Sequence, residues 1–352
     1  MTHPHQAPQR ILVVMPNWYG ETLFATPFLR ALHDLAPQAS ISALGPARAE
    51  AMLARHPNLR EFLLYDETAS HRGWRAAWRT AAQLRARRYD TAVILRRSLT
   101  RTALVACAGV PRRIGFANAK SGWLLTHRVP RPPAPRHKAE EYLELLRPLG
   151  GGAPPRLACE YAPSPEEHAQ AAQLLRDAGI GERQQPFIVL HPGANWAHKR
   201  WPAESFAELA ADLMRDGMPV LVTGAAADQP LADAILARMV PDVPALLVGR
   251  TAIRQLAAVL ERARLVVSND TGALHLAVAL RRPVVALYGP TSPVLTGPYG
   301  DPAVTRVIHH PGCCPIVPCS QPDHPGFPGM RSITVEEVAR AARDLLQRAA
   351  AA

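Results

Sequence analysis

The sequence has few cysteines, no long apolar run and very little lysine. Five unevenly spaced cysteines in 352 residues do not form the disulfide framework of a small secreted protein. A transmembrane helix would need a run of about eighteen apolar residues, and there is none. The first ten residues also lack the apolar segment of a secretory signal. We therefore expect a cytoplasmic protein, long enough for two domains.

Acidic residues are scarce in the first half of the chain only. Residues 1–165 carry 23 basic and 11 acidic side chains, whereas residues 166–352 carry 17 and 18. Arginine outnumbers lysine by 37 to three, a bias that a GC-rich genome produces, but such a bias does not explain the difference between the halves. A one-sided basic surface attracts a polyanion, an anionic membrane or an anionic substrate.

Short apolar runs alternate with helical patterns along both halves, which predicts two doubly wound parallel sheets. A proline- and glycine-rich stretch near residues 150–165 predicts the linker between them. We expect an N-terminal domain at 1–160, a C-terminal domain at 161–334, and a terminal helix at 335–352 that packs back toward the N-terminal domain. The ligand crevice is expected at the carboxyl ends of the strands.

The turn after the first strand, PNWYGET at 16–22, places Glu21 near a helix N-terminus. A carboxylate there can act as a general base toward a hydroxyl. The same charge also favours the helix dipole without any catalytic role, and such charges are common at that position.

The loop HPGANWAHKRWP at 191–202 combines Gly193 with Lys199 and Arg200 after a predicted strand. Backbone N–H groups and a flexible cation suit a phosphate, although the spacing is not that of a Walker motif. Lys199 could equally be a solvated surface lysine.

The segment SNDTGALH at 268–275 ends a predicted strand and opens a helix, a geometry that suits a diphosphate. Asp270 would then meet sugar hydroxyls or cap the helix. His275 is one turn inside, where a packed core histidine is the more common outcome. The Gly-Pro corners that follow, at 289–298, predict a rigid loop beside the same crevice.

Two other features are less specific. Cys313, Cys314 and Cys319, with nearby histidines, raise a zinc hypothesis, but their spacing fits no standard site, so structural or incidental cysteines are favoured. Trp74 and Trp78 stand among arginines at helical spacing and are interpreted as core or surface helix contacts, because no nucleic-acid motif accompanies them.

Taken together, these segments resemble the family 9 glycosyltransferases, the lipopolysaccharide heptosyltransferases. The resemblance rests on YGE at 19–21, PGA…KRWP at 192–202, SNDTGALH at 268–275, and PVVALYGPTSP…TGPYG at 283–300, and it covers nearly the whole chain. It implies the GT-B fold, two Rossmann-like domains that face one another. It further implies heptose transfer from ADP-heptose, with inversion and without a metal, onto an anionic inner-core glycolipid at the inner face of the cytoplasmic membrane.

The resemblance also assigns residues. Glu21 and Lys199 would be catalytic, the first as base and the second by neutralising the leaving diphosphate. The implied donor-binding residues are His191, Gly193, Ala194, Asn195, Lys199, Asp228, Thr251, Asp270, Thr271, Gly272 and His275. The expected acceptor-binding residues are Asn17, Arg96, Arg97, Arg101, Arg113 and Lys120. No metal, cofactor or nucleic acid is expected.

Glu21 stands where the family has a catalytic Asp, and its side chain is one methylene longer. Either the helix is set back to compensate, or the base is altered, or the activity has drifted. Two other hypotheses therefore stay open: a GT-B glycosyltransferase or epimerase that uses another nucleotide sugar, and a nucleotide-sugar-binding homologue without catalysis.

Overall fold

A computed structural model describes residues 8–66, 73–152, 158–180, 185–239, 243–311 and 328–351. The chain divides into two compact units, Met1–Cys159 and Glu160–Ala352. This division lies within one residue of the predicted boundary at 160. Each unit is described below by itself.

The first unit contains a six-stranded parallel sheet in the order β3-β2-β1-β4-β5-β6. Its strands are β1 Arg10–Val14, β2 Ser40–Gly45, β3 Glu61–Leu64, β4 Thr91–Ile94, β5 Arg112–Phe116 and β6 His127–Val129. Its helices are α1 Tyr19–Leu23, α2 Thr26–Leu35, α3 Ala47–Leu53, α4 Trp74–Ala86, α5 Leu99–Cys107 and α6 Lys138–Glu144. After Arg10 the central strand β1 is an apolar run of four buried residues, as expected for a strand covered on both faces.

The sequence from Glu21 to about His33 has a helical pattern and predicts one helix, but the structure divides this segment into two helices, α1 and α2. Pro27 lies in the first turn of α2, where its missing N–H costs nothing, whereas inside a continuous helix its ring would clash with a carbonyl one turn earlier. The Thr26 hydroxyl donates to the Leu23 carbonyl across the break. The short α1 therefore carries Glu21 on a separate piece of helix.

The second unit repeats this topology, with the strand order β12-β11-β10-β7-β8-β9, all parallel. Its strands are β7 Ile188–His191, β8 Val220–Val222, β9 Ala245–Leu246, β10 Leu265–Asn269, β11 Val284–Tyr288 and β12 Thr305–His309. Its helices are α7 Pro165–Asp177, α8 Ala203–Arg215, α9 Gln229–Leu236, α10 Ile253–Arg262, α11 Gly272–Ala279, α12 Pro293–Thr296, α13 Pro328–Arg331 and α14 Val335–Ala351. The two doubly wound sheets expected from the sequence are confirmed.

Strands β5, β6 and β12 and helix α7 were not predicted because they lack a simple apolar pattern, and the four-residue helices α12 and α13 were not predicted either. Strand β5 opens with two arginines, β6 is only three residues long, and β12 is a half-exposed edge strand. Helix α7 begins where the prolines at 163 and 165 indicate a linker. Ser164 and Glu167 form a capping box there, a start signal that is present in the sequence.

The terminal helix α14 belongs to the second unit. It packs against α8 and against strands β10, β11 and β12, and Val338, Ala342 and Leu345 are buried in the core of that unit. The sequence-based division set residues 335–352 apart from the second domain, whereas the apolar stripe of α14 makes it part of that domain. Among the residues that the structure describes, no helix is long and apolar enough to cross a membrane.

Candidate active site

In each sheet the chain starts at a central strand and then builds outward in both directions. The direction changes between β1 and β4 in the first unit and between β7 and β10 in the second. Ligands of open parallel sheets bind at this switch point, outside the carboxyl ends of the strands. The loops after these four strands carry most of the side chains singled out from the sequence.

Lys199, Asp270 and His275 form one cluster at the second switch point. The Lys199 ammonium lies 2.6 Å from Asp270 Oδ2, and His275 Nε2 lies 3.4 Å from Asp270 Oδ1. Asp270 follows β10 directly, Lys199 comes from the loop after β7, and His275 lies in the first turn of α11. The cluster forms because β7 and β10 are neighbouring strands. Lys199 and Asp270 are 71 residues apart in the chain, so the sequence alone does not indicate their contact.

The electrostatics of Asp270 favour its charged form. Burial by itself would raise its pKa, but the hydrogen bond with His275 and the charge of Lys199 outweigh that effect and hold the pKa well below its ordinary value. Burial and the Asp270 charge together raise the pKa of Tyr288 well above its ordinary value. Asp270 is therefore a fixed carboxylate beside a neutral phenol.

The N-terminus of α11 lies next to this cluster. Thr271 is its N-cap, with a side-chain oxygen that accepts from the Leu274 N–H, and Gly272 is its first helical residue. Helix N-termini favour negative charge through their unpaired N–H groups. A diphosphate at this end of α11 would meet these groups and the Lys199 ammonium together.

Asp228 and Gly193 are also in close contact. The Asp228 carboxylate accepts from the Ala225 N–H at 2.9 Å, and Arg200 lies 3.5 Å from its other oxygen. A Cβ at Gly193 would overlap that carboxylate. A residue without a side chain is therefore required at 193, and the close approach explains the Pro-Gly-Ala sequence of the loop.

His191 ends β7 and is buried. Its Nδ1 lies 3.0 Å from the Thr223 hydroxyl at the end of β8. Burial lowers the pKa of His191 to about 4, against an opposing effect of the Asp228 charge, so its ring is neutral at physiological pH. The neighbouring Asn269 side chain accepts from the Trp201 N–H and donates to the Pro192 carbonyl, which ties the loop after β7 to β10.

The other predicted donor residues have smaller roles in the geometry. The Ala194 carbonyl accepts two hydrogen bonds from Arg200. Asn195 is exposed, and Thr251 is half-buried just before α10. Of the residues not predicted as ligands, Arg200 and Asn269 hold this loop in place. The run KRWPAES gives no sign of the contact that Asn269 makes from 68 residues away.

At the first switch point Glu21 forms an ion pair with Lys138. Lys138 begins α6, far along the chain, and both side chains are partly exposed. Lys138, one of the three lysines of the chain, thus lies beside the candidate base, a contact that the sequence alone did not predict. Because Lys138 lies in a basic, proline-rich stretch, only the tertiary contact distinguishes it from its neighbours.

Arg101 supports the loop that carries Asn17. Its guanidinium donates to the Met15 carbonyl and to Asn17 Oδ1, both at 2.7 Å, and the residue is 1% exposed. Arg113 likewise donates to the Leu124 and Val110 carbonyls. These hydrogen bonds hold the surrounding loops in place, and acceptor binding by Arg101 and Arg113 stays a prediction.

Arg96, Arg97 and Lys120 keep more open positions. Arg96 follows β4 and lies near Tyr142. Burial and the charges of Glu21 and Glu141 raise the pKa of the Tyr142 phenol well above its ordinary value, and the Arg96 charge acts in the opposite direction. Arg97 and Lys120 are exposed. Glu21, Lys138 and Arg96 are therefore the charged groups around the first switch point, and the neutral Tyr142 lies beside them.

Comparison with known proteins agrees with this geometry. A sequence model of glycosyltransferase family 9 (heptosyltransferase) matches residues 77–319. The chain is 31% identical over 314 residues to lipopolysaccharide heptosyltransferase 2 of Salmonella typhimurium, covering 85% of this chain and 88% of that protein. The chain belongs to glycosyltransferase family 9.

Solved structures give the same result for the fold. The structure of E. coli ADP-heptose LPS heptosyltransferase II superposes with a TM-score of 0.77 at 28% identity, covering 97% of this chain and 99% of that one. A family 9 glycosyltransferase from Veillonella parvula superposes with a TM-score of 0.85 at 24% identity, covering 97% and 98%. This family 9 member therefore has the GT-B fold, and the expectation of a glycosyltransferase enzyme is confirmed.

The zinc hypothesis finds no support in the part of the chain that the structure describes, where no group of three or more His, Cys, Asp and Glu side chains could hold a metal ion. His310 instead contacts Ser332 and Glu337, which joins the end of β12 to α14. Cys313, Cys314, Cys319 and His324 lie outside the described residues. That the enzyme needs no metal stays a prediction.

Proposed function

We propose that this family 9 enzyme transfers heptose from ADP-heptose to an anionic inner-core lipopolysaccharide glycolipid, with inversion and without a metal. The observation that carries the proposal is the Lys199–Asp270–His275 cluster at the N-terminus of α11, a site suited to a nucleoside diphosphate. The names of the relatives support the sugar and the acceptor, because they are lipopolysaccharide or ADP-heptose heptosyltransferases.

The donor half of the reaction uses the second unit. Lys199 and the N–H groups around Thr271 and Gly272 would hold the diphosphate and neutralise the charge that develops as ADP leaves. Asp228 would accept hydrogen bonds from the ribose hydroxyls. Asp270, as a carboxylate fixed by Lys199 and His275, suits hydroxyl groups of the sugar. The rest of the donor site would be formed by the neutral His191 ring together with Gly193, Ala194, Asn195 and Thr251.

The acceptor half uses the first unit. Glu21 would take the proton from the acceptor hydroxyl as its oxygen attacks the anomeric carbon, and the bond from that carbon to the diphosphate oxygen would break. Inversion follows because the new bond forms on the face opposite to the departing ADP. Asn17, Arg96, Arg97 and Lys120 would bind the anionic acceptor, with Arg101 and Arg113 holding their loops. Such an acceptor places the enzyme at the inner face of the cytoplasmic membrane.

The first experiment measures ADP release from ADP-heptose with and without a Kdo-lipid A acceptor. Glu21→Gln should abolish acceptor-dependent release and leave ADP binding intact, because it removes the base and keeps the side-chain shape. Lys199→Ala should weaken both. Glu50→Gln, on the neighbouring helix α3, is the matched control. Activity that persists with a chelator would support the absence of a metal.

Other outcomes identify the competing functions. No release with any core acceptor, together with stoichiometric ADP binding that Glu21→Ala leaves unchanged, would indicate a binding homologue without catalysis. Preference for a uridine nucleotide sugar over an adenine one would indicate a different transferase or an epimerase on the same fold.

A further inference from the structure

Helix α4 leaves two tryptophans in solvent. Trp74 is 70% exposed and Trp78 is 64% exposed, and their spacing of four residues puts them on one face of the helix. The opposite face, with Ala76, Thr80 and Leu84, is buried. The sequence did not distinguish core from surface for this pair, and the structure places both tryptophans outward.

The same exposed face is cationic. Arg75 and Arg79 are exposed and follow the two tryptophans directly, and the Arg75 guanidinium lies 5.4 Å from the centroid of the Trp74 ring. No acidic residue occurs between residues 73 and 89. The outward face of α4 therefore presents large aromatic rings beside arginines, with no acidic residue on the helix itself.

Neighbouring elements carry further exposed apolar side chains. Helix α5 packs against α4, and its first residue, Leu99, is 49% exposed. The turn at Gly122–Leu124 contacts α5 and carries Trp123, which is 68% exposed. Because α4 and α5 follow parallel strands, both helices begin at the carboxyl edge of the first sheet. The loop that leads into the helix of Glu21 lies along the same edge.

We propose that this face, formed by Trp74, Trp78, Leu99 and Trp123 with Arg75 and Arg79, docks the first unit on an anionic lipid bilayer. The inference rests on the proposed function, since a lipid-linked acceptor is held in such a bilayer. Tryptophan rings favour the headgroup region of a membrane, and arginines beside them pair with lipid phosphates. Charge complementarity selects an anionic surface over a neutral one, and an acceptor sugar above that surface lies on the same side as Glu21.

The test is co-sedimentation of the full chain with vesicles of phosphatidylethanolamine and phosphatidylglycerol, and with vesicles of phosphatidylcholine alone. Wild type should bind the anionic vesicles and lose binding as salt rises. Trp74→Ser with Trp78→Ser should lower the partition coefficient by about tenfold or more. Arg75→Gln and Arg79→Gln should each lower it by about fivefold. Val243→Ser and Arg238→Gln, exposed positions of the second unit, are the matched controls.

Transfer to a detergent-dispersed acceptor separates this proposal from the proposed function. The tryptophan variants should keep that activity while losing vesicle binding. Equal vesicle binding by wild type and the double variant, or no binding by wild type, would overturn the docking proposal even if transfer is normal. Loss of transfer to a dispersed acceptor would overturn it too, because the face would then hold the acceptor glycan. Vesicle binding without any transfer would overturn the proposed function alone.

Discussion

The two units share one strand order but differ at the edge where ligands bind. At the second switch point the charged groups are buried and bonded to one another: Asp270 is 7% exposed and is held by Lys199 and His275. At the first switch point Glu21 and Lys138 form a partly exposed pair, and Arg97 and Lys120 reach into solvent. The sheets are alike, so the difference lies in the loops and in the first turns of the helices.

Under the proposed function this difference would correspond to two kinds of ligand. A nucleoside diphosphate is small and always the same, so a preorganised set of groups can match it before it binds. An anionic glycolipid is large and lies in a membrane, and open arginines with exposed aromatic rings suit it better. The excess of positive charge in residues 1–165 would serve that second kind of recognition.

The largest effect is expected from Lys199→Met, which keeps the length of the side chain and removes its charge. Loss of one electrostatic donor to a departing group costs about a hundredfold to a thousandfold in rate. ADP affinity should fall as well, in contrast to Glu21→Gln in the first unit. Steady-state kinetics and calorimetry measure both. The exposed Arg238→Gln controls for loss of a charge, and unchanged ADP affinity in Lys199→Met would contradict a preorganised donor site.

Gly193→Ala should disturb the second unit alone. The added Cβ would overlap the Asp228 carboxylate, so the loop after β7 must shift, at a cost of roughly 1–3 kcal/mol. We expect a lower melting temperature and weaker ADP binding. Gly122→Ala in the first unit is the control, because nothing lies within 4 Å of a Cβ there and its backbone accepts a side chain. If both variants melt alike, the close approach at Gly193 is not needed.

Both units should lose stability in mild acid through one buried histidine each. Burial lowers the pKa of His56 and of His191 to about 4, from 6.5 in the unfolded chain. The unfolded state therefore binds more protons below pH 6.5, so this stability is complete above 6.5 and is lost as the pH falls toward 4. The loss is roughly 2 kcal/mol for each histidine by about pH 5.

Amide exchange of peptides from each unit measures this loss separately. His56→Asn should flatten the acid dependence of the first unit and leave that of the second, and His191→Asn should do the reverse. Equal flattening of both units by either variant would show that they do not open independently.

The smallest effect is expected from Lys138→Met. Without its partner the Glu21 carboxylate is less well oriented toward an acceptor hydroxyl, so the transfer rate should fall by about tenfold at constant ADP affinity. Lys138→Arg should restore part of the rate. Arg147→Gln, just beyond α6, controls for loss of positive charge, and an equal decrease in that variant would argue for general attraction of the acceptor instead.

Much of the fold was predictable because burial on both faces makes central strands into apolar runs. Strands β1, β7, β10 and β11 are of this kind, and the motifs after them lie at the expected edge. Strands β5 and β12 were not predicted from the sequence. Two arginines open β5, which lies next to the edge strand β6, and threonine, arginine and histidine interrupt the apolar pattern of the edge strand β12. The candidate donor residues could be named from the sequence because most of them stand in loops between a predicted strand and the helix that follows it, and their donor role stays a prediction. The hydrogen bonds that Arg101 and Arg113 donate to backbone carbonyls were not predicted, because an arginine that binds a carbonyl looks the same in sequence as one that binds an anion.

The sequence by itself determined two doubly wound sheets, the positions of the candidate ligand loops and a first half with excess positive charge. These properties follow from local patterns and composition, which are readable one segment at a time. The tertiary structure decided which charges meet: Lys199 with Asp270, Glu21 with Lys138, and Arg101 with the backbone of the β1 loop. It also decided that Trp74 and Trp78 face solvent. Each of these depends on the packing of distant segments, because a side chain's partner is set by the order of strands in a sheet and not by its neighbours in the chain.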